Sequence, residues 1–395
     1  MSSETRTVLR LKSPLIYVMA SAAGLSVANL YYAQPLLHTL ARDFSVSNGA
    51  AGSIITLTQL GYALGLVLLV PLGDLLQRRR LITGITICAA VVLAIAALSP
   101  QFSWFDAACF FIGLTAVVAQ LLVPFAAHLA DAKDRGRVVG RVMSGLLMGI
   151  LLARVASGVV SDVLGWQGVY WIAAALMLLQ AMVLYRTLPI EPPQSTQSYR
   201  TLLLSILHLM RDEPLLRRRI VYGMSVFGAF SVLWTSLPFL LAPAPYHYSD
   251  TLIGLFGLLG VAGVMMASFA GHLHDRGHSR LATGTALAMV IAGFLLMGVW
   301  PYHVAAVIIG IVLLDIGVQG TQILNQSKIY TLRPEARNRL TTAYMTCFFI
   351  GGTIGSAAAA AAFTHFGWTG VAMTGSGSGA IGFLFWLSEK DNNNS

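Results

Sequence analysis

Residues 70–80 read VPLGDLLQRRR. The stretch lies between two apolar runs, each long enough to cross a bilayer. One carboxylate, Asp74, closes the first run, and Arg78, Arg79 and Arg80 open the second. In the second half of the chain another short link between apolar runs carries Gly271, Leu273, Asp275, Arg276 and Arg280. An acid-and-base hairpin that occurs twice implies a duplicated unit.

Composition says what surrounds that unit. Hydrophobic residues make up 56% of the 395 and charged residues 10%, whereas a soluble domain carries about 25% charged residues. A run of about 20 apolar residues spans the hydrocarbon core as a helix, so the chain has room for about a dozen spans and little else. Cys88, Cys109 and Cys347 all sit in apolar runs, which reads as apolar packing rather than a disulfide framework. The apolar stretch from Pro14 to Leu37 follows Arg6, Arg10 and Lys12. It is too long for a signal-peptide core and is expected to stay as an uncleaved first helix.

Twelve helices are expected, at 14–38, 50–73, 81–99, 104–130, 138–162, 166–188, 219–242, 251–273, 281–300, 303–327, 341–364 and 367–387. They are called helix one to helix twelve below. A polar segment with Pro192, Pro193 and a Gln/Ser/Thr run divides them. The expected organisation is a six-helix half over 1–188, a cytoplasmic central loop over 189–218 and a second six-helix half over 219–395.

The basic residues test that topology. With a cytoplasmic N-terminus, every second loop is cytoplasmic. Of the 25 Lys and Arg residues, Arg42 alone then falls on the outer side and Arg154 alone in the middle of a helix, the other 23 lying in cytoplasmic segments or at the helix ends that flank them. This is the asymmetry of the positive-inside rule, and it accounts for the net charge of +9 through anionic lipid rather than nucleic acid. Further repeats support the duplication. Arg135-Gly136-Arg137 is matched by Arg337-Asn338-Arg339, Gln120 by Gln322, and Gly165-Trp166-Gln167-Gly168-Val169 by Gly367-Trp368-Thr369-Gly370-Val371, all at one offset. The fold class is therefore an all-α integral membrane protein with two parallel six-helix repeats, and a substrate site is expected at their interface near mid-membrane.

Two charges inside helices stand out. Asp315 lies in IIGIVLLDIGVQG of helix ten, about 18 Å from the outer end at 1.5 Å per residue. Inserting an acid at a helix centre costs about 2.5–3.5 kcal/mol, so such a residue has a function or a compensating partner. It is the favoured proton carrier; the plain alternative is a neutral acid hydrogen-bonded to a neighbouring helix. Arg154 lies in GILLARVASG of helix five and cannot deprotonate, so it must pair or reach water. Gly145, Gly149 and Gly158 around it permit close helix packing.

At this point the chain resembles the major facilitator superfamily, whose loop motif reads Gly-x-Leu-Ala-Asp-Arg-x-Gly-Arg-Arg. Leu72, Asp74, Arg78 and Arg79 match it in the first half, with Val70, Leu75 and Gln77 departing. Gly271, Leu273, Asp275, Arg276 and Arg280 match in the second half. Asn29-Leu30-Tyr31-Tyr32-Ala33-Gln34-Pro35 resembles the first helix of bacterial members grouped with sugar-efflux and drug–proton antiporters. The resemblance implies the twelve-helix major facilitator fold, a bacterial inner membrane and export in exchange for protons. It also implies that Asp74 faces the start of helix eleven near Thr341, with Arg78 as its ionic partner. Asp74, Arg78, Asp275 and Arg276 then form a conformational gate. A carboxylate at a helix N-terminus gains about 0.3–1 kcal/mol, and a contact made in one state only biases alternating access.

In this family helices one, four, seven and ten line the cavity, so Asn29, Tyr31, Tyr32, Gln120, Gln322 and Asn325 become candidate substrate contacts. The plain alternative is interhelical hydrogen bonding, worth about 0.6 kcal/mol each. Helix five packs near helices eight and ten in the family, which makes Arg154 the expected partner of Asp315, with Asp106 as its rival. Arg154 stands where many antiporters of the family carry a proline.

Several patterns carry no chemistry. Gly377, Gly379 and Gly382 satisfy Gly-x-Gly-x-x-Gly but sit in a membrane run without a preceding strand, so they read as helix packing. His272, His274 and His278 cluster in an inner loop and are not expected to bind metal. No P-loop, His-Glu-x-x-His or Gly-x-Ser-x-Gly sequence occurs, so neither a P-loop ATP site nor a familiar hydrolytic site is expected. The expected protein is a monomeric secondary transporter, not an enzyme, with no cofactor, and with a small solute, protons and the lipid bilayer as partners. A proton-coupled importer or a uniporter is the transport alternative, and an intramembrane enzyme or receptor the alternative outside transport.

Overall fold

The computed structural model describes residues 13–131, 133–193, 197–266, 270, 276, 278–333 and 336–389. The helices follow the apolar runs. We number the spans α1 (Ser13–Ala28, resumed at Leu37–Asp43), α2 (Asn48–Leu75), α3 (Arg78–Ala97), α4 (Phe102–Leu129), α5 and α6 (135–164 and 166–187), α7 (Pro214–Leu241), α8 (Asp250–Met266), α9 (Ser279–Val299), α10 (Val304–Tyr330), and α11 and α12 (337–366 and 368–387).

The duplication is visible in the backbone. α5 runs into α6 through Gly165 at φ +77°, and α11 into α12 through Gly367 at φ +59°. Only glycine enters that region without a steric penalty. These are the two glycines of the repeated Gly-Trp-x-Gly-Val stretch, and the tryptophan after each, Trp166 and Trp368, is buried. Within the first half α1 and α3 pack on the α5–α6 hairpin and α2 packs on α4. Within the second half α7 packs on the α11–α12 hairpin and α9 on α10.

The outer faces are apolar. Ile87, Val91 and Ile95 of α3, Leu98 at its end, and Ile172, Leu178, Leu179 and Met182 of α6 are all exposed. Continuous apolar surface on that scale is a membrane surface. Cys109 and Cys347 are buried as expected of apolar packing, but Cys88 is exposed on the same face of α3 as Ile87 and Val91.

Three differences from the sequence expectation have physical causes. The 189–218 segment is not all loop: a linker helix runs over Tyr199–Asp212, capped by Ser198 Oγ on the Thr201 amide, and buries Leu202, Ile206 and Leu209 at helical spacing. α7 consequently begins at Pro214 rather than 219, proline being well placed in a first turn. Helix one is not continuous either. Residues 29–36 form tight turns, with Leu30, Tyr31 and Gln34 each donating to the carbonyl three residues back, and Pro35 has no N–H to extend an α-helix. The link with Gly271, Leu273 and Asp275, the histidines His272 and His274, and Arg6, Arg10, Lys12 and Lys390 lie outside the described residues.

Candidate functional site

α1 and α8 are both broken, and both breaks lie against one side chain. The turns of 29–36 interrupt α1, and a 3-10 turn over Phe256–Gly260 interrupts α8. Non-helical backbone at membrane depth is tolerated only where protein or a cavity covers it, and residues 29–36 are buried. Between the two breaks stands Arg154 of α5, 2% exposed. Its Nε donates to Gln34 Oε1 at 2.6 Å and its Nη1 to the Ile150 carbonyl at 3.4 Å. The guanidinium lies 4.1 Å from the ring centroid of Trp234, 4.7 Å from Tyr31 and 5.7 Å from Phe230. A desolvated cation over aromatic faces gains up to about 2 kcal/mol. Its stem packs on Gly257, where a Cβ would stand 2.9 Å from Arg154 Cδ. Nη2 is buried with no hydrogen-bond partner.

One turn further along α8, Gly260 faces Asp315 of α10. A Cβ on Gly260 would lie 3.4 Å from Asp315 Oδ2, and Gly263 packs on the Asp315 carbonyl. Asp315 is 4% exposed and its Oδ2 also lacks a partner. The two charges act on each other electrostatically, yet they form no ion pair within 4.0 Å. The expected Arg154–Asp315 pair is therefore not formed. Gln34 and the aromatic rings hold the guanidinium instead. The rival, Asp106, is engaged elsewhere: Ser53 Oγ of α2 donates to its Oδ2 at 2.8 Å.

Two ladders join the halves around this centre. Along α2 and α11 the rungs are Gly49 with Thr364, Gly52 with Ala360, Thr56 with Ser356, Gln59 with Gly352, and Tyr62 with Phe349. The spacing of three or four residues is one face of each helix. Thr56 and Ser356 share a 2.9 Å hydrogen bond, and Gln59 Nε2 also donates to Ser231 of α7 at 2.9 Å. Beyond Tyr62 the same face of α2 turns to its own half, with Gly65 packed on Leu114 and Val117. α5 and α8 repeat the arrangement. The Thr251 amide donates to Asp162 at 3.0 Å, Gly158 meets the Asp250 carbonyl, Gly254 meets the Arg154 carbonyl, and Leu151 meets Gly260. At Gly158 and Gly254 a Cβ would run into the opposing carbonyl. Asp250, 7% exposed, ties the end of this ladder: Thr39 of α1 and Ser161 of α5 donate to its carboxylate at 2.9 and 2.8 Å.

Comparison with known proteins decides the family. The family model described as Major Facilitator Superfamily matches residues 19–355. The chain belongs to the major facilitator superfamily. It is 47% identical to the "Uncharacterized transporter YgaY" of Escherichia coli O157:H7, over 95% of each chain. It is 23% identical, over 94% of each chain, to a "Probable sugar efflux transporter" of Helicobacter pylori. Its fold matches the crystal structure of a bacterial homolog to human lysosomal transporter, Spinster, in inward-facing and occupied conformation, with a TM-score of 0.77 at 13% identity over 95% of this chain and 96% of that one. As a major facilitator it is a membrane transporter rather than an enzyme, with the twelve-helix fold.

The remaining candidates of this major facilitator divide into those at the junction and those that brace one half. Tyr31 is at the junction, under Arg154. Gln120 donates to Tyr62 Oη at 3.2 Å, and the Tyr62 ring rests on Phe349 of the other half at 4.3 Å. Asn29 instead donates to Met177 Sδ at 3.5 Å, inside the first half. Asn325 is fully buried and donates to the Arg219 carbonyl and to Tyr344 Oη, both at 3.2 Å, inside the second. Gln322 reaches Met345 Sδ at 4.0 Å, also inside the second half, and Tyr32 is buried.

In the first loop hairpin, where a gate is expected from sequence, Arg78 Nη2 pairs with Asp74 at 3.1 Å and Arg78 Nε donates to the Gly73 carbonyl at 3.0 Å, with the guanidinium over Phe125. Arg276 is exposed, and Asp275 lies outside the described residues. Sequence reasoning missed Gln34, Trp234, Phe230, Gln59 and Asp250. Gln34 had a signal, one turn from Tyr31 and beside Pro35. Asp250, between Ser249 and Thr251, reads from sequence as an ordinary helix start.

Proposed function

We propose that this major facilitator is a proton-coupled secondary transporter of a small organic solute, working by alternating access in a bacterial inner membrane with both termini cytoplasmic. Asp315 carries the proton. The observation behind this reading is a carboxyl in the membrane core that has neither an ion-pair partner within 4.0 Å nor a hydrogen bond to Oδ2, beside the break in α8. Broken helices at the repeat interface are where transporters of this kind bind their cargo. The Asp74–Arg78 and Asp275–Arg276 hairpins act as the gate, and the chain works as a monomer without a cofactor. Export in exchange for protons is the direction favoured by the sequence resemblance and by the relative named as a sugar efflux transporter.

A second reading, in which proton and solute travel together, is favoured by Arg154. An anionic solute that engages Arg154 offsets the positive charge nearest Asp315, so its binding and proton uptake reinforce each other rather than compete.

Everted vesicles energised to an acid interior, with a pH-sensitive dye and a panel of sugars, amino acids, organic acids and amphipathic cations, test the reading. A solute should collapse the gradient in the wild type and not in Asp315→Asn. A response that survives Asp315→Asn removes Asp315 as the carrier.

A further inference from the structure

We propose that the transported solute is an organic anion whose acid group is taken by Nη2 of Arg154, with an apolar or aromatic body laid against Trp234, Tyr31 and Phe230. The proposal deepens the reading above by naming the substrate class, and it rests on that reading only for the location of the site.

Arg154 is always charged and nine-tenths buried, yet its hydrogen-bonding is incomplete. Gln34 takes Nε, the Ile150 carbonyl of its own helix takes Nη1, and Nη2 has no acceptor. A guanidinium presents its donors as a rigid fork matched to carboxylate, phosphate or sulfonate oxygens, and an uncompensated buried charge is not kept without a partner. Among the described residues Asp315 is the acid that acts on Arg154, and it is not within ion-pair distance, so Nη2 is left to an anion from outside the chain. Aromatic rings enclose the guanidinium, and Nη2 is the unpartnered donor among them, the composition of a small-molecule site with one anchoring charge and apolar walls.

The elements that bring these groups together come from both halves. α1 and α5 supply Tyr31, Gln34 and Arg154; α7 and α8 supply Phe230, Trp234 and Gly257. A ligand held here bridges the parts that must rock. Arg154 is thus specificity-determining, Gln34 holds it in position, and Asp315 adds a negative neighbour to the site.

The test is binding to the purified full chain, read by thermal stabilisation and by tryptophan fluorescence. The probes are benzoate, phenylacetate, phenyl phosphate, benzenesulfonate, citrate and gluconate, each beside a neutral analogue such as benzamide, and beside benzylamine as a cation. At least one acid should bind at least tenfold more tightly than its neutral analogue. Arg154→Gln should abolish that preference, Arg154→Lys should weaken it about tenfold, and Asp315→Asn should strengthen acid binding severalfold by removing a negative neighbour. A purely structural arginine would not produce this last change. Gln34→Leu, which leaves the charge in place, serves as a folding-tolerant second variant and should reduce affinity without abolishing the preference. Equal affinity for acids and neutral analogues, a preference that survives Arg154→Gln, or binding by none of the acids overturns the proposal. Acid binding that persists while Asp315→Asn leaves proton movement unchanged would sink the proton-carrier reading and leave this one standing.

Discussion

The two faces of the molecule are held in opposite ways. On the face bearing Arg42, Asp250 and the loop glycines, polar contacts cross between the halves: Thr39 and Ser161 to Asp250, the Thr251 amide to Asp162, Thr56 to Ser356. On the basic-rich face, among the described residues, these ion pairs do not cross between the halves: Arg78 pairs with Asp74 and Arg137 with Asp134 in the first half, Arg219 pairs with Glu389 in the second, and Arg333 of the second pairs with Glu213 at the end of the linker helix. The comparison teaches where free energy is available to hold each state. Cross-half bonds must be broken for the Arg42 face to open, whereas ion pairs inside a half ride along with it. The ladder of α2 and α11 ends at Tyr62 and Phe349, and beyond it Gly65 of α2 packs within its own half.

The largest effect should come from the close backbone crossing of α5 and α8. Gly254→Leu puts a branched side chain into the Arg154 carbonyl, and the Arg42 face can no longer close. Solute counterflow in proteoliposomes is expected to fall to background while the protein remains monodisperse in detergent. Retained counterflow would remove the α5–α8 ladder from the account.

Asp250→Ala comes next. It takes the acceptor from Thr39 and Ser161 at once, and hydrogen bonds to a charged group are worth about 1.5–3 kcal/mol each. The equilibrium should shift tenfold or more towards opening at the Arg42 face. Maleimide labelling of a cysteine placed at Ser53 reads that shift, and Asp250→Asn should fall between the two. An unchanged labelling rate would break the comparison at its strongest point.

Smaller still is Ser356→Ala, which removes one membrane-depth hydrogen bond worth about 0.6 kcal/mol. About a threefold rise in the same labelling is expected. Arg333→Ala sets the lower bound. Its pair with Glu213 is half exposed on the basic-rich face, where such pairs are worth about 0–1 kcal/mol. It should leave both labelling and counterflow within a factor of two. An effect larger than that of Asp250→Ala would reverse the contrast between the faces.

Much of this architecture was legible in the residues. The spans follow from apolar run length, and the duplication from Gly165-Trp166 and Gly367-Trp368, whose positive-φ glycines sit at equivalent bends. The site was half legible. Arg154 and Asp315 announce themselves because a charge in an apolar run is costly. Tyr31 was found through its neighbours in the first helix. Trp234 and Phe230 were not, because one aromatic more in an apolar helix carries no mark of the cation it covers. Asn29 and Asn325 looked like cavity groups since hydrophilicity alone does not tell which way a side chain turns; both donate inside their own half. The linker helix was hidden by its polar composition, although its buried leucines and isoleucine keep helical spacing.

The most direct test of rocking about the Arg154 centre is a pair of spin-label distances measured in lipid nanodiscs. One pair is placed at Ser47 and His365 on the Arg42 face, the other at Arg80 and Asn338 on the basic-rich face; Ser47, His365, Arg80 and Asn338 are all exposed. In the unsubstituted background the first distance should be short and narrowly distributed. Introducing Asp250→Ala should lengthen it and shorten the second, in matched populations. If the first lengthens while the second stays fixed, or if neither responds, the halves do not move as two rigid bodies and the account is wrong.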